Sequence, residues 1–183
     1  MLSNTEREKK RRQQEFDLWD LISKLSTELT LEADNRGLSL DVVVNQEVPQ
    51  FFIGDFLKVK EIFSKLVNFS MESTKTGGIT IRIKPSCVFD RNKQHLEIVI
   101  TDTGLGLLSG KIQTALQSKY LLNSRYNSID KSNTLYNMKI LGQQMEGDLR
   151  VNSTYGRGTR YTASIQMQAI PSVNSIGNGI ADH

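Results

Sequence analysis

The stretch Ile98–Leu107, IVITDTGLGL, runs from an apolar strand directly into a carboxylate and two glycines. The alternating apolar residues before it predict a buried strand that ends near Asp102. Gly104 and Gly106 predict a tight turn whose backbone can approach another group closely, because glycine has no Cβ. This pattern fits a ligand-binding turn, but taken alone it favours a strand end whose carboxylate faces solvent.

Length and composition indicate one globular domain with a tail. The chain has 183 residues, 38% hydrophobic and 23% charged, with a net charge of +3. No apolar run reaches the ~20 residues of a membrane helix, and charge rather than an apolar block follows Met1, which predicts no signal peptide. A single cysteine, Cys87, and two histidines, His95 and His183, argue against a disulfide framework and against a metal site.

The basic run Arg7–Glu15, REKKRRQQE, lies in a polar, helix-prone segment. Acidic residues interrupt the run and no aromatic residue is interleaved, so a solvated helix face is favoured over a nucleic-acid contact. We therefore predict that residues 1–15 are the end of a preceding helix or linker, that 16–168 form the domain, and that 169–183 are a C-terminal linker.

Two amphipathic helices and several strands follow from the periodicity. Helical spacing from Phe16 up to a stop at Gly37 predicts the first helix, and Asp55 is predicted to cap a second one that runs to about Thr74. The expected buried residues of the two helices are Leu18, Trp19, Ile22, Leu25 and Leu29, and Phe56, Val59, Ile62, Phe63, Leu66 and Val67. Strands are predicted at 38–44, 79–85 and 95–101, with a turn at 91–93 between the last two.

The second half is predicted to hold a polar stretch at 109–133 with a weak helix, a helix at about 135–145, and strands at 148–154 and 159–167 joined by the turn YGRG. The order of elements predicts an α/β fold, a two-layer α/β sandwich with a mixed sheet and helices on one face.

Several blocks, in this order, resemble the ATP-binding domain of histidine kinases, in the wider family shared with gyrase, Hsp90 and MutL. The resemblance implies the Bergerat-type version of this sandwich and extends from Phe16 to Met167. The blocks that carry it are 16–44, GDFLKVKEIFSKLVNFSMESTKTGG at 54–78, DTGLGL at 102–107, LYNMKILGQQMEGDLRV at 135–151 and STYGRGTRYTASIQM at 153–167.

The resemblance implies an adenine-binding side. Asp102 stands where the family's aspartate accepts a hydrogen bond from the adenine amino group, and Thr159 where a hydroxyl helps to hold adenine through water. The remaining matches are the glycines of two glycine boxes: Gly104, Gly106, Gly156 and Gly158.

The magnesium position departs from the family's pattern. Asp55 and the pair Gly77–Gly78 fix the register of the second helix without a gap, which puts Phe69 at the asparagine that binds Mg²⁺ and Lys65 at the preceding asparagine. Phenylalanine has no ligand atom for a hard cation. Asn68 is one residue, about 100° around a helix, from that position, and we expect it to point elsewhere.

The lid departs as well. The family wraps the triphosphate with a glycine-rich loop, but no glycine occurs between Lys111 and Leu141, and DKSNT at 130–134 replaces the second glycine box. Three cations in or beside this stretch, Lys119, Arg125 and Lys131, can contact phosphate or, as in most loops, only solvent.

No histidine precedes Phe16, and His95 begins a predicted strand, so no phosphoacceptor is recognised in the chain. Phosphoryl transfer depends on charge neutralisation and positioning, and both are missing from the pattern. The sequence therefore predicts a catalytically inactive pseudokinase domain with no catalytic residues, no bound metal and no required cofactor. ATP or ADP is expected to bind weakly, without magnesium, or not at all.

By resemblance, the domain is expected to act as a scaffold in a two-component phosphorelay, as in phosphotransfer proteins of envelope-stress relays that kept the kinase architecture without its chemistry. Expected partners are a sensor kinase, receiver or histidine phosphotransfer domain, with a homo- or heterodimer formed through the upstream helix. No nucleic-acid partner is expected, and the expected location is the cytoplasmic side of an inner-membrane protein.

Two alternatives stay open. One is a working ATP-dependent kinase in which Asn68 or Glu72 replaces the magnesium ligand. The other is a nucleic-acid binder that uses Lys9–Arg12, whose affinity would fall steeply with salt.

Overall fold

The computed structural model describes residues 13–90, 93–117 and 131–171. Within them the chain forms seven strands and four helices. In order these are β1 (Gln14–Asp17), α1 (Leu18–Asn35), β2 (Ser39–Val44), β3 (Phe51–Gly54), α2 (Phe56–Ser73), β4 (Gly78–Asp90), β5 (Lys93–Asp102), α3 (Ser109–Gln117), α4 (Lys131–Gln144), β6 (Asp148–Thr154) and β7 (Gly158–Ala169).

The strands make one mixed sheet in the order β1-β3-β7-β5-β4-β2, with β6 also paired to β7. Only the pair β2 and β4 is parallel among the described strands. β7 lies between β5 on one side and β6 and the end of β3 on the other. The prediction of a mixed sheet is confirmed.

The two faces of the sheet differ in chemistry. One face buries alternate residues against the helices, and this core includes Ile79, Ile81, Ile83, Leu96, Ile98, Ile100, Ala163 and Ile165. The other face is polar, and there Glu97 pairs with Lys84 at 2.9 Å and with Arg150 at 3.0 Å. Because the buried apolar residues of the sheet lie on one face, against the helices, the molecule is the predicted two-layer sandwich.

Helix α1 begins at Leu18 rather than at Phe16, because the Asp17 side chain accepts a hydrogen bond from the Asp20 N–H at 2.9 Å and caps the helix there. Gly37, with φ +68°, follows the end of the helix as predicted. Trp19 was expected in the buried stripe but is 39% exposed. Its indole N–H donates to the Val48 carbonyl at 3.2 Å, which holds the ring at the rim of the core.

Helix α2 follows the prediction closely. The Asp55 side chain caps it by accepting from the Lys58 N–H at 3.2 Å, and Thr74 is its C-cap. The predicted buried residues are buried, except that Phe56 is only partly so. The agreement places Phe69 on one continuous helix, at the position expected from the sequence.

Two strands were not predicted from periodicity. β1 and β3 have four residues each and pair antiparallel with one another, so neither is long enough to show an alternating pattern. Gln14 and Glu15 therefore lie in a strand, not in the helix or linker predicted for 1–15. β4 also runs further, and α4 starts earlier, than predicted.

None of the four helices in the described ranges is long and apolar enough to cross a membrane. The predicted turn at 91–93 was one residue too long, because Lys93 already begins β5. Residues 91 and 92, the basic run up to residue 12 and the tail from 172 lie outside the described residues.

Candidate functional site

The predicted carboxylate and hydroxyl meet at one edge of the sheet. Asp102 ends β5, is 2% exposed and pairs in register with Thr159 of β7. Its Oδ1 accepts from the Gly104 N–H at 2.9 Å and from the Thr159 N–H at 3.1 Å. Two backbone donors stabilise the charged form of a buried carboxylate, so this geometry holds Asp102 in place without a ligand.

Ser153 contacts Thr159 and was not predicted from the sequence as a site residue. Its Oγ accepts from the Leu107 N–H at 2.7 Å, lies 2.8 Å from Thr159 Oγ1 and donates to the Gly158 carbonyl at 3.0 Å. The signal that could have found it is register, since Ser153 lies opposite Thr159 across the β6–β7 hairpin. We call Asp102, Ser153, Thr159 and Tyr161 the carboxylate cluster.

Three of the four predicted glycines are required by the protein's own backbone. A Cβ on Gly104 would overlap the Ser73 carbonyl oxygen, and one on Gly158, at φ +108°, would overlap the Asp102 carbonyl oxygen. A Cβ on Gly106, at φ +75°, would overlap the Thr154 carbonyl oxygen. Gly156 differs, since a Cβ there would meet nothing within 4 Å. These glycines permit close approach as predicted, but the groups approached belong to the chain itself.

Phe69 packs against the cluster from α2. Its ring meets that of Tyr161 edge to face, with centroids 5.7 Å apart and an interplanar angle of 89°. The two residues are 3% and 0% exposed. Burial, and then the nearby Asp102 charge, raise the pKa of Tyr161 above its usual value, while a side-chain hydrogen bond with Thr159 acts in the opposite direction.

A cavity of about 200 Å³ lies between α2 and α4 and is lined in part by Phe69. We call it the helix-pair cavity, and its lining residues are Lys65, Asn68, Phe69, Glu72, Thr134 and Asn137. The four residues from α2 follow the spacing i, i+3, i+4, i+7, which is one face of a helix.

Asn68 was expected to point away from the position of Phe69, but both residues line the helix-pair cavity. Residues one apart diverge by about 100°, but this cavity is bordered by a whole helical face that includes both Asn68 and Phe69. α2 stays α-helical throughout, so no distortion is needed. The Asn68 Oδ1 atom is buried and has no hydrogen-bond partner among the described residues.

Charge in the helix-pair cavity is sparse. The Lys65 ammonium pairs with Glu61 at 2.5 Å, one helical turn away, and Glu72 is exposed. Among the described residues, no group of three or more histidine, cysteine, aspartate or glutamate side chains is placed to hold a metal ion.

The predicted lid falls largely outside the described ranges, including Lys119, Arg125 and Asp130. Residues 131–134, which replace the second glycine box, form the first turn of α4, and the Lys131 side chain is not described. His95 lies in β5 opposite Gln166, as a strand residue.

A protein-family model described as histidine kinase-, DNA gyrase B-, and HSP90-like ATPase matches residues 54–169. Among curated proteins, the sensor protein GacS of Pseudomonas syringae pv. syringae is 29% identical over 159 residues, 83% of this chain and 17% of that protein. The signal transduction histidine-protein kinase BarA of Escherichia coli K12 is 25% identical, over 86% of this chain and 17% of that protein. The aerobic respiration control sensor protein ArcB of the same strain is 21% identical, over 86% of this chain and 20% of that protein.

The chain thus spans a fifth or less of the length of these relatives. Among solved structures, full-length ShkA in complex with AMPPNP has a similar fold, with a TM-score of 0.67 and 15% identity over 87% of this chain and 32% of that one. At this identity the likeness concerns the fold.

Proposed function

The chain belongs to the histidine kinase-, DNA gyrase B- and HSP90-like ATPase family, and we propose that it carries signals in a phosphorelay through protein contacts, without transferring phosphate. Its curated relatives are sensor proteins and a histidine-protein kinase, which supports a place among phosphorelay proteins. The proposal concerns what this domain does there.

The observation that carries the proposal is the position of Phe69. The family's register puts a magnesium ligand at this point of α2, and the phenylalanine ring there is 3% exposed and packed on Tyr161. A hydrocarbon ring offers no oxygen to a hard cation, and its removal from the core would be costly. Without the cation, the charge that develops on a transferring phosphoryl group is not neutralised at this position.

The lid supports the same proposal. Active lids depend on backbone N–H groups that are free to point at phosphate, which glycine-rich loops supply. Here no glycine occurs from 111 to 141, and residues 131–134 form the first turn of α4, so a helix occupies the position of the second glycine box.

Nucleotide remains a proposed ligand of the adenine side alone. Asp102 and Thr159 are adjacent, as adenine recognition requires, and Asp102 is anchored by two backbone donors. Binding through these groups would not involve magnesium, and it would be weak because the triphosphate contributes little.

Direct assay of phosphoryl transfer tests the proposal. The full-length protein that contains this chain is incubated with labelled ATP and Mg²⁺, and hydrolysis and protein labelling are followed beside an Asp102→Asn variant. We expect both preparations to show the same background. Magnesium-dependent turnover that the variant lacks would show an active kinase.

A second candidate, a kinase with a replaced magnesium ligand, is favoured by one observation. Asn68 and Glu72 both line the helix-pair cavity, and the buried Asn68 Oδ1 has no partner among the described residues. In that case Asn68→Ala and Glu72→Gln would abolish magnesium-dependent ATP binding, while Asn152→Ala on an exposed position of β6 would not.

The cellular context is part of the proposal. The matched relatives are about five to six times longer than the matched segment, so we place this chain in a longer relay protein, as a cytoplasmic domain anchored at the inner membrane. Its proposed partners are a sensor kinase, receiver or phosphotransfer domain, or a second copy joined through the upstream helix.

A further inference from the structure

Three large apolar side chains are exposed together where the turn after β5 meets the β6–β7 hairpin. Leu105 is 60% exposed, Leu108 49% and Tyr155 59%. We call these three residues the leucine–tyrosine ledge. Single exposed apolar residues are ordinary, but a cluster of three on adjoining turns marks an interaction surface.

Hydrogen bonds hold the ledge in place. The Gly156 N–H donates to the Leu105 carbonyl at 2.6 Å, which joins the two turns directly. The Leu107 N–H is held by Ser153 at 2.7 Å, and the Leu108 carbonyl accepts from the Lys111 N–H at 2.9 Å at the start of α3. A surface fixed before binding loses little conformational entropy when a partner docks.

The charged side chains of the two segments that form the ledge are all cationic, and the exposed Glu72 of α2 is next to Ser73, whose carbonyl accepts from the Leu105 N–H at 3.4 Å. The segments 103–117 and 149–162, which form the ledge, contain four cations and no aspartate or glutamate. Arg150 is paired with Glu97 on the polar face of the sheet, whereas Lys111, Arg157 and Arg160 are exposed. Asp102, next to the first segment, is buried and bonded to backbone.

We propose that the leucine–tyrosine ledge docks a partner-protein segment that presents apolar side chains flanked by carboxylates. The inference rests on the proposed signal-carrying function and names the chemistry of its partner. Tyrosine and arginine are enriched in protein interfaces, and the exposed Arg157, on the same hairpin turn as Tyr155, favours an acidic partner through complementary charge. An anionic membrane is disfavoured, because the ledge is built from turns rather than from a long amphipathic helix.

The test uses a labelled peptide with leucines at helical spacing flanked by glutamates, titrated with the 183-residue chain by fluorescence anisotropy. The matched peptide carries lysines instead of glutamates. We expect the acidic peptide to bind about tenfold more tightly than the basic one, and its affinity to fall between ionic strengths of about 0.05 M and 0.5 M, as exposed charges are screened.

Two variants locate the binding. Leu105→Ser and Arg157→Glu should each weaken binding of the acidic peptide about tenfold, since the first removes apolar contact area and the second reverses a complementary charge. Leu31→Ser is the control, because Leu31 is 63% exposed on α1, away from the ledge. Unchanged thermal unfolding of all three shows that folding is not the cause.

Equal binding of the two peptides, equal effects of Leu31→Ser and Leu105→Ser, or binding to phosphatidylglycerol vesicles in place of the peptide would each overturn the inference. ATP turnover by the chain would refute the proposed function but leaves this binding test unaffected, so the two failures are distinguishable.

Discussion

The carboxylate cluster and the helix-pair cavity are neighbours that share Phe69, yet they are built in different ways. In the cluster, Asp102, Ser153 and Thr159 hydrogen-bond to backbone or to one another, and three glycines accommodate carbonyl groups of the same chain. In the cavity, Asn68 Oδ1 has no partner among the described residues, and the lining mixes one ring with scattered polar groups.

The difference shows that the glycine motif has a structural role that does not depend on catalysis. The glycines and the aspartate of the first and last glycine boxes hold the end of β5 to β7, so the fold needs them whether or not nucleotide binds. Nothing in the packing of α2 and α4 demands a metal ligand at residue 69. Glycine boxes alone are therefore weak indicators of phosphoryl transfer, and the metal position is a stronger one.

Gly158→Ala is expected to have the largest effect on stability. A Cβ there overlaps the Asp102 carbonyl oxygen at a positive φ, whereas Gly156, at φ +81°, has open space around it. We expect Gly158→Ala to cost more than about 4 kcal/mol or to prevent folding, and Gly156→Ala about 1–2 kcal/mol. Urea unfolding measures both. Similar costs for the two would mean that the glycine box is not required by the fold.

Next in size is Phe69→Ala. A phenylalanine buried in the core loses about 3–5 kcal/mol of unfolding free energy on truncation to alanine, whereas one that merely borders an open site loses far less. Leu57→Ala, on the same helix at a residue 57% exposed, is the control and should change stability by less than about 1 kcal/mol. A cost for Phe69→Ala no larger than the control would show that the ring does not fill the metal position.

Substitutions of Asp102 test how much the carboxylate cluster contributes to stability in the absence of a ligand. Asp102→Ala leaves two backbone N–H groups without their acceptor and should cost about 2–3 kcal/mol in urea unfolding. Asp102→Asn keeps one acceptor oxygen and should cost about half as much. If both variants are as stable as the wild type, the carboxylate does not hold the strand ends together.

The smallest effect is a dependence on alkaline pH. The folded-state pKa of Tyr161 is raised, mainly by burial, so as pH rises the unfolded chain loses this proton first. Stability from this group is present below pH about 10 and falls above it by about 1.4 kcal/mol per pH unit. Tyr161→Phe should lack this part of the decline, and Tyr155→Phe, at a residue 59% exposed, should not differ from the wild type. Identical alkaline profiles for all three would contradict a buried Tyr161.

Much of the fold could be predicted from local sequence patterns. The Asp55 cap and the apolar stripe of α2 are sequence signals, and they placed Phe69 correctly on a continuous helix. β1 and β3 could not be found this way, since four-residue strands exist through pairing with distant residues rather than through their own periodicity.

The site was predictable in part. The resemblance placed Asp102 and Thr159 each on the adenine side, and the register of β5 and β7 shows that the two residues are adjacent. Ser153 and the place of Asn68 were missed, because they depend on how a hairpin and two helices come together. A helical-wheel angle describes one helix, but a cavity is shaped by its neighbour as well.

Calorimetric titration of the chain with ADP and ATP, with and without Mg²⁺ and beside Asp102→Asn, distinguishes a domain that binds only adenine from a working kinase. We expect weak binding that magnesium does not strengthen and that the variant loses, since recognition is proposed to rest on the carboxylate cluster alone. ATP binding that requires magnesium would contradict this expectation, and would identify a replacement ligand in the helix-pair cavity.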